Sequence, residues 1–492
     1  MDLKEIQDED TSPSEITSEI TIEVEGFAPP QEEEILIRRS ERTHRAQNRL
    51  SLNVEADEHS IRDLNEPTSY KATMLDPESN KWIDSMNAEI QSMMDNMIWV
   101  LVDLPPGCKT VGNFGGVTYM VQPEGFVDPK HPRKVCKLQR SIYGLKQASR
   151  SWNKRFDEEI KRFGFDQNLD EPCVYQKASG SNVTFLILYV DDIIIMGNHI
   201  PSLQSVKNYL GKCFSMKDLG EAAFILGIKI YRDRSKRLIG LSQNAYMDKI
   251  LKRYKMDNSK RGTIPMQERL DLNKSQGAQT PKEVNRMKNV PYASANPGEP
   301  HWTAVKIILK YLRNTKDMFL VYGGNPSTEL RVECYCDAGF ETDRDDTKSQ
   351  TGYVFVLNGG AVDWKSSKQS TTAMSATESE YIAASEAAME AVWIRKFISG
   401  LGIVPTINEP LNMYCDNSAA VHYANEPGVQ KGARHYQRRY HYVRECVELG
   451  EIRILKVHTD NNLADPFTKA LSNRKLTQHA RGMGLRPASS FM

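Results

Sequence analysis

The stretch LYVDDIIIMG, residues 188–197, places two adjacent carboxylates, Asp191 and Asp192, inside an apolar run. The flanking residues 183–190 and 193–196 are mostly β-branched or large and apolar, which is typical of strands that pack in a core. The pattern therefore predicts two strands joined by a tight turn, with both acids at its tip. A plain turn with solvated acids is one interpretation, because Asp is common in turns. A metal site is the other, because buried acids need positive charge nearby and Mg²⁺ prefers carboxylate oxygens.

Length and composition limit the class of protein. The chain has 492 residues, which is enough for two or three domains. No apolar segment approaches the roughly 20 residues that a membrane span requires, and no secretory signal is visible. These features predict an intracellular, cytoplasmic protein without a membrane partner. The eight cysteines form no CxxC pair and no metal-finger spacing, which favours reduced thiols over a disulfide framework.

Charge is unevenly distributed along the chain, although 64 basic and 64 acidic residues give a net charge of zero. The first 36 residues carry twelve acids against one lysine. An acidic segment with few aromatic residues is typical of disorder. The tract RRSERTHRAQNR, residues 38–49, is basic and is interpreted as a linker or an electrostatic contact. We therefore expect residues 1–70 to be a disordered acidic segment followed by a basic linker.

The second half of the chain predicts a mixed sheet with an acid at several of its element ends. From residue 331 the pattern is strand, strand, strand, helix, strand, helix, strand, helix, and Asn358-Gly359 is a strong hairpin signal between the second and third strands. Each acid alone is best explained as a cap or a solvated end, but four in register with predicted elements favour one shared site. These acids are Asp337 in the first strand, Glu380 early in the first helix with Glu378 as the alternative, Asp416 closing the fourth strand, and Asp465 opening the last helix.

Several segments together resemble the reverse transcriptase of copia-type LTR retrotransposons. They occur in this order: QPEGF (122–126), SIYGLKQASRSW (141–152), LYVDDIIIMG (188–197) and KDLGEAAFILGIKI (217–230). The resemblance continues to the end of the sequence, and the tract at 38–49 is similar to the linker that follows integrase in such Pol polyproteins.

The resemblance implies a right-hand polymerase whose palm carries a YVDD hairpin. Asp191 and Asp192 would then bind the catalytic metal ions, Mg²⁺ or Mn²⁺. Tyr189, Gly144 and Gln147 match motifs that lie against the template and the incoming nucleotide. The implied partners are an RNA template, a primer and an RNA–DNA hybrid.

One departure from the family concerns the palm. In copia-type enzymes a further metal-binding Asp lies on a separate palm strand, between motifs that resemble LPPGCKTVGN (104–113) and YMVQPEGF (119–126). Here only FGGVT separates the two motifs. A second junction, PYASANPGEPHW (291–302), omits a segment that joins thumb to connection in the family. We therefore expect an internally deleted element, or a gene model with false introns, whose polymerase is defective.

The order of the four acids in the second half resembles ribonuclease H. The early glutamate argues against integrases of related fold, which place theirs late. The resemblance implies that the four acids bind two divalent ions and that the enzyme hydrolyses the RNA strand of an RNA–DNA hybrid. A basic stripe is the expected hybrid-binding surface. It consists of Lys431, Arg434, Arg438, Arg439 and Arg444.

The sequence therefore predicts an α+β and α/β chain, with an incomplete polymerase palm and thumb followed by a ribonuclease H-like mixed sheet. The expected divisions are 1–70, the linker; 71–266, the incomplete reverse transcriptase; 267–325, a truncated connection; 326–475, the ribonuclease H-like domain; and 476–492, a C-terminal tail. The predicted function is that of a retrotransposon Pol fragment with ribonuclease H activity. The alternative is a non-catalytic nucleic-acid-binding remnant.

Overall fold

A computed structural model describes most of the chain from residue 70 onward. The described residues are 70–108, 110, 112–114, 117–140, 146–268, 272–288, 297–323, 330–343, 345–426 and 437–491. The predicted disordered and basic segments before residue 70 lie outside them, as do Gly144 and residues 291–296 of the second junction. The described strands form four sheets.

The first sheet is small, antiparallel and ordered β1–β4–β3–β2. Two helices, α1 (Tyr70–Met74) and α2 (Ser79–Asp95), precede its four strands, which are β1 (Trp99–Val102), β2 (Gly112–Phe114), β3 (Val117–Met120) and β4 (Val135–Leu138). Strands β2 and β3 pair directly, with Gly112 opposite Tyr119 and Phe114 opposite Val117. The two motifs on either side of FGGVT are thus joined as adjacent strands of one sheet.

The second sheet contains the YVDD hairpin and is ordered β5–β6–β7–β8. Its strands are β5 (Asp166–Gln167), β6 (Val174–Ser179), β7 (Asn182–Tyr189) and β8 (Asp192–Gly197), and it packs with helices α3 (Lys146–Arg162) and α4 (Ile200–Cys213). Side chains of β7 alternate between buried and less buried positions, as expected of a strand with one face on a core. That core includes Phe156 and Ile160 of α3, Leu186 and Leu188 of β7, and Leu210 of α4.

The third sheet is antiparallel and joins distant parts of the chain in the order β18–β12–β11–β10–β9. Its strands are β9 (Phe224–Ile225), β10 (Ile228–Asp233), β11 (Leu238–Ser242), β12 (Met318–Gly323) and β18 (Leu485–Pro487). Helices α5 (Asn244–Arg253), α6 (Pro281–Lys288) and α7 (Glu299–Thr315) lie between β11 and β12 in the sequence. Residues 476–491, predicted to be a tail, therefore contribute a strand to a sheet that begins before residue 230.

The fourth sheet is the predicted mixed sheet, ordered β15–β14–β13–β16–β17. Its strands are β13 (Val332–Gly339), β14 (Gln350–Leu357), β15 (Gly360–Lys368), β16 (Leu411–Cys415) and β17 (Ile452–Lys456). The first three are antiparallel neighbours, and β16 and β17 run parallel to β13. The accompanying helices are α8 (Ala376–Leu401), α9 (Ser418–Asn425), α10 (Gln437–Glu448) and α11 (Asn473–Gly482).

Local residue chemistry explains the elements of this sheet. Asn358 and Gly359 both have positive φ, 52° and 80°, as the predicted two-residue hairpin requires. Helix α8 begins after Ser375, whose side chain accepts a hydrogen bond from the Glu378 amide, and it ends at Gly402 in the left-handed region. A buried row of alanines, which includes Ala384 and Ala387, packs in the main core with strand β13.

One element differs from its prediction. Residues 464–471 were expected to form the final helix, but Asp465–Phe467 is a short 3-10 turn and the next helix starts at Asn473. Thr468 and Lys469, which follow the turn, both bond to Asp337 of β13, so contacts with this strand accompany the early end of the helix.

Candidate active site

Two adjacent parallel strands carry the first pair of acids. Cys336 of β13 lies opposite Cys415 of β16 in the parallel register. The next residues are Asp337, which is still within β13, and Asp416, which directly follows β16, so the two acids lie side by side. The pairing of β13 with β16 therefore converts a separation of 79 positions in the sequence into direct proximity.

Helix α8 and the 3-10 turn supply the other two acids. Glu380 lies in the second turn of α8, on the side that packs against the sheet, and is 7% exposed. Asp465 opens the 3-10 turn and is 3% exposed. This turn is tied to β13 by Asn462, which is fully buried, donates to the Cys336 carbonyl at 2.9 Å and accepts from the Ala464 amide at 3.2 Å.

All four predicted acids of the mixed sheet come together. Asp337, Asp416 and Asp465 each offer a carboxylate oxygen, and these oxygens lie within 4.8 Å of one another. Glu380, Asp416 and the Cys415 thiol form a second group on the same criterion. Asp416 belongs to both groups and lies at the centre of the cluster.

Burial makes this cluster electrostatically demanding. Asp337 is fully buried, and burial raises the pKa of its carboxyl to about 6, although Lys469 opposes that rise. Burial, followed by the nearby Asp337 carboxylate, raises the pKa of Glu380 to about 10. The pKa of Asp465 is also raised by burial. The protein therefore holds several carboxylates where their ionised forms require added positive charge.

The donor set of this cluster suits a hard divalent cation. Glu380 is a buried carboxylate whose described hydrogen bond comes from the Cys415 thiol at 4.0 Å, and within the described part of the chain no basic side chain pairs with it. A buried carboxylate without a cation is unfavourable. Carboxylate oxygens are the ligands that Mg²⁺ and Mn²⁺ prefer. The residues present therefore fit a divalent metal.

Sequence reasoning missed two residues at the site, both a few positions after Asp465. Thr468 donates its hydroxyl to Asp337 Oδ2. Lys469 Nζ lies 2.8 Å from Asp337 Oδ1 and 3.2 Å from Asp465 Oδ1. Their spacing of three and four positions from Asp465 was visible, but their contacts with Asp337 follow only from the packing of the turn on β13.

Glu378, the alternative to Glu380, has a different place. Its carboxylate accepts a hydrogen bond from the Met374 amide at 3.0 Å, just before the start of α8. It therefore serves the N-terminus of the helix, where unpaired amides favour a carboxylate. The geometry favours Glu380 as the member of the cluster.

The YVDD hairpin is formed as predicted, but its acids are not buried. Tyr189 pairs with Asp192, and Val190 and Asp191 form the tip, with Val190 at a φ of 50°. Asp191 and Asp192 are both exposed. The buried setting that favoured a metal over a plain turn at this pair is therefore not found, and metal binding by Asp191 and Asp192 stays a prediction. Among the described residues, no third His, Cys or acid joins the pair in a group that could hold an ion.

A side chain of helix α3 contacts the tip of this hairpin. Trp152 of α3 donates its indole N–H to the Val190 carbonyl at 2.8 Å. Gln147 lies in the first turn of the same helix, while its side chain lies outside the described residues.

The structure describes the side chains of two of the five residues in the predicted basic stripe. Lys431, Arg434 and the side chain of Arg438 lie outside the described residues. Arg439 binds Glu386 at 3.1 Å and the Ser370 hydroxyl at 2.8 Å, and Arg444 is only 8% exposed. Arg439 thus pairs with Glu386 while its side chain stays 23% exposed, and Arg444 is buried. That the stripe binds a hybrid stays a prediction.

Comparisons with known proteins identify the parts of this arrangement. Residues 110–268 match the family model described as reverse transcriptase (RNA-dependent DNA polymerase). The chain is 32% identical over 517 residues to the retrovirus-related Pol polyprotein from transposon TNT 1-94 of Nicotiana tabacum, and the match covers 84% of this chain and 38% of that polyprotein. It is 30% identical over 300 residues to the putative transposon Ty5-1 protein of Saccharomyces cerevisiae, which covers 55% of this chain and 94% of that protein.

Among solved structures, a ribonuclease H1 isolated from compost matches 30% of this chain and 97% of its own, with 14% identity and a TM-score of 0.22. No helix among the described residues is both long and apolar enough to cross a membrane.

The family match places a reverse transcriptase domain at residues 110–268, and a five-stranded mixed sheet with its helices follows it, in agreement with the predicted α+β and α/β class. The chain belongs to the copia-type retrotransposon Pol polyproteins. It spans well under half of the tobacco polyprotein.

Proposed function

We propose that this chain is a metal-dependent ribonuclease H, which hydrolyses the RNA strand of an RNA–DNA hybrid, and that its polymerase part is inactive. The observation that carries the proposal is that four acids lie together near the carboxyl ends of the central strands β13 and β16. Asp337, Glu380 and Asp465 each have an oxygen within 4.8 Å of a carboxylate oxygen of Asp416. Acids at this density suit divalent-metal catalysis better than a structural role, because as buried carboxylates they are unfavourable without a cation.

The residues of the chain have distinct roles in this proposal. The four acids would hold Mg²⁺ or Mn²⁺, which would polarise the scissile phosphate and stabilise charge on the leaving oxygen. Burial keeps Asp337 and Asp465 in a fixed orientation, and the Thr468 hydroxyl orients Asp337 further. An A-form-like hybrid is recognised through its shape and 2′-hydroxyl groups rather than its base sequence.

The test is cleavage of a labelled RNA strand in an RNA–DNA hybrid by the purified full chain with Mg²⁺ or Mn²⁺. Asp337→Asn should lower the rate by about 100-fold or more, because it removes a charged ligand from the cluster. Asp460→Asn is the matched control, since Asp460 is an exposed acid that pairs with Lys475 outside the cluster. Its rate should stay close to that of the unaltered chain.

Two results would contradict this proposal. Equal cleavage by the unaltered chain and Asp337→Asn would point to a contaminating nuclease. Hybrid binding without cleavage by the folded, unaltered chain would favour the non-catalytic remnant.

Three observations support an inactive polymerase. The two motifs that a long segment separates in the family are here adjacent strands, β2 and β3. Strand β8 is an edge strand, with β7 as its partner in the described part of the chain. Asp191 and Asp192 are exposed at the tip of that hairpin. Two metal ions require a further acid, and none of the described residues joins Asp191 and Asp192 in a group that could hold an ion.

Primer extension on an RNA template by the same preparation tests this part separately. No extension is expected under conditions in which the hybrid is cleaved. Extension that is lost in Asp192→Asn would show that the hairpin suffices and would overturn the inference. We propose the RNA–DNA hybrid as the substrate for cleavage. An RNA template and a primer are the further partners that membership of the family implies. We also propose a cytoplasmic location.

A further inference from the structure

Lys469 places a cation inside the acidic cluster. Its ammonium bridges Asp337 Oδ1 at 2.8 Å and Asp465 Oδ1 at 3.2 Å. Asp337 is fully buried and Asp465 is nearly so, whereas the Lys469 side chain is 36% exposed. The lysine thus reaches from the surface into the site and pairs with two of the three acids whose oxygens lie within 4.8 Å of one another.

This position conflicts with a second cation at the same acids. A divalent ion bound by Asp337 and Asp465 would lie within a few ångströms of the ammonium, where like charges repel strongly in a partly buried site. The lysine stem is long and flexible, and its exposed part gives the ammonium a route to solvent. Metal binding and the two ion pairs of Lys469 are therefore alternatives.

We propose that Lys469 is a positioning residue that acts as an internal counter-ion, holding Asp337 and Asp465 together in the metal-free site and competing with the divalent ion for them. The proposal rests on the metal-dependent function proposed above. Lys469 would keep the site assembled at low metal concentration. It would also lower the affinity of the site for divalent ions below that of the acids alone.

Removal of Lys469 should change the metal affinity in opposite directions, depending on whether the lysine competes with the ion or only supports the fold. If Lys469 only supports the fold, its removal disorders the acids and weakens metal binding. If it competes, its removal destabilises the metal-free protein but strengthens metal binding, because two acids lose their only described ammonium partner. The sign of the change in metal affinity therefore separates the two roles.

The experiment is calorimetric titration of the full chain with MgCl₂ and with MnCl₂ in the absence of nucleic acid, with thermal melting in EDTA. Lys469→Met keeps the length of the side chain and removes its charge. We expect its dissociation constant for Mg²⁺ to fall about tenfold and its melting temperature in EDTA to drop. Lys469→Arg retains the charge and should stay close to the unaltered chain.

Lys475→Met is the matched control. Lys475 binds Asp460 at 2.6 Å and carries the same charge near the site, but it does not contact the cluster acids. Its removal should change the Mg²⁺ dissociation constant by less than about twofold, because screening weakens the effect of an exposed charge. An equal gain in both methionine variants would mean that general charge, rather than occupancy by Lys469, sets the affinity, and would overturn the proposal.

The remaining outcomes are also decisive. Unchanged or weaker Mg²⁺ binding by folded Lys469→Met contradicts competition while leaving the proposed function intact. Absence of Mg²⁺ and Mn²⁺ binding by the unaltered chain contradicts the metal centre itself. If Lys469→Met does not fold, Lys469→Gln, with a shorter polar side chain, is measured in its place. If Lys469→Gln does not fold either, the destabilisation is structural and the counter-ion role alone cannot explain it.

Discussion

At the scale of single residues, the main feature is the concentration of buried acids around Asp416. Asp337 is fully buried, and Asp465 and Glu380 are nearly so. Burial disfavours a carboxylate unless a cation or hydrogen-bond donors replace water. Lys469 and Thr468 serve Asp337, whereas Glu380 has only the Cys415 thiol among its described hydrogen bonds. Glu380 is therefore the acid that gains most from a bound metal.

Because Glu380 lacks a described basic partner, we expect the stability of the metal-free protein to depend on pH. Burial raises the pKa of Glu380 to about 10 from an ordinary value near 4.5. Above pH 4.5 the unfolded chain releases this proton and the folded chain retains it, so the stability of the folded state falls as pH rises toward the folded pKa. Glu380→Gln, which does not titrate, should be more stable than the unaltered chain at pH 8 by on the order of 1 to 3 kcal/mol.

The measurement is urea unfolding in EDTA at pH 5 and pH 8. The advantage of Glu380→Gln should be much smaller at pH 5, because that pH lies only about half a unit above the ordinary pKa of the unfolded chain and little of the linked stability has yet been lost. Glu378→Gln is the control on the same helix, and it should lose some stability because Glu378 accepts the Met374 amide. An advantage of Glu380→Gln that is equal at both pH values would contradict the account.

At the scale of elements, turn chemistry sets the register of the mixed sheet. Asn358 and Gly359 connect β14 to β15, and both have positive φ. A glycine adopts such a conformation without strain, while an L side chain does not. A Cβ added at Gly359 would meet no atom within 4 Å, so the cost of a substitution there comes from the backbone alone.

Gly359→Ala should therefore lower the free energy of unfolding by about 1 kcal/mol. Gly211→Ala provides the opposite case, because Gly211 lies inside helix α4, and an added Cβ likewise meets nothing within 4 Å. This variant should be more stable than the unaltered chain by about 0.5 to 1 kcal/mol, since alanine favours a helix over glycine. Denaturant unfolding of both variants measures the two signs, and changes of the same sign would contradict the argument.

At the scale of the whole molecule, one sheet ties the last described residues to the polymerase part. Strand β18 pairs with β12, and β12 pairs with β11. Phe491 packs with Leu238 and Phe319 in a small core, and its carbonyl accepts a hydrogen bond from Lys236. The residues after the mixed sheet thus stabilise a sheet whose strands β9, β10 and β11 lie within the reverse transcriptase match.

Phe491→Ala should lower the free energy of unfolding by about 3 kcal/mol, because it removes a large buried side chain and leaves a cavity. Ser490→Ala is the neighbouring control, and its exposed side chain should contribute less than about 0.5 kcal/mol. The comparison is made by thermal melting of the full chain. Protease cleavage during the melt reports separately on the reverse transcriptase part and on the mixed sheet. If Phe491→Ala behaves like Ser490→Ala, the core around Phe491 is not a stabilising contact.

The amino-acid pattern alone determined the succession of strands and helices along the second half of the chain, the hairpins at Asn358-Gly359 and at the YVDD motif, and the choice of the four acids. These features depend on side-chain periodicity, turn preferences and spacing, which are local properties of a chain. Only the tertiary structure decided that Asp191 and Asp192 are exposed, that Arg444 is buried, and that residues 485–487 form a sheet strand. The same holds for Lys469, which contacts an acid 132 positions away. Such contacts depend on how distant elements pack against each other, and no local pattern specifies that packing.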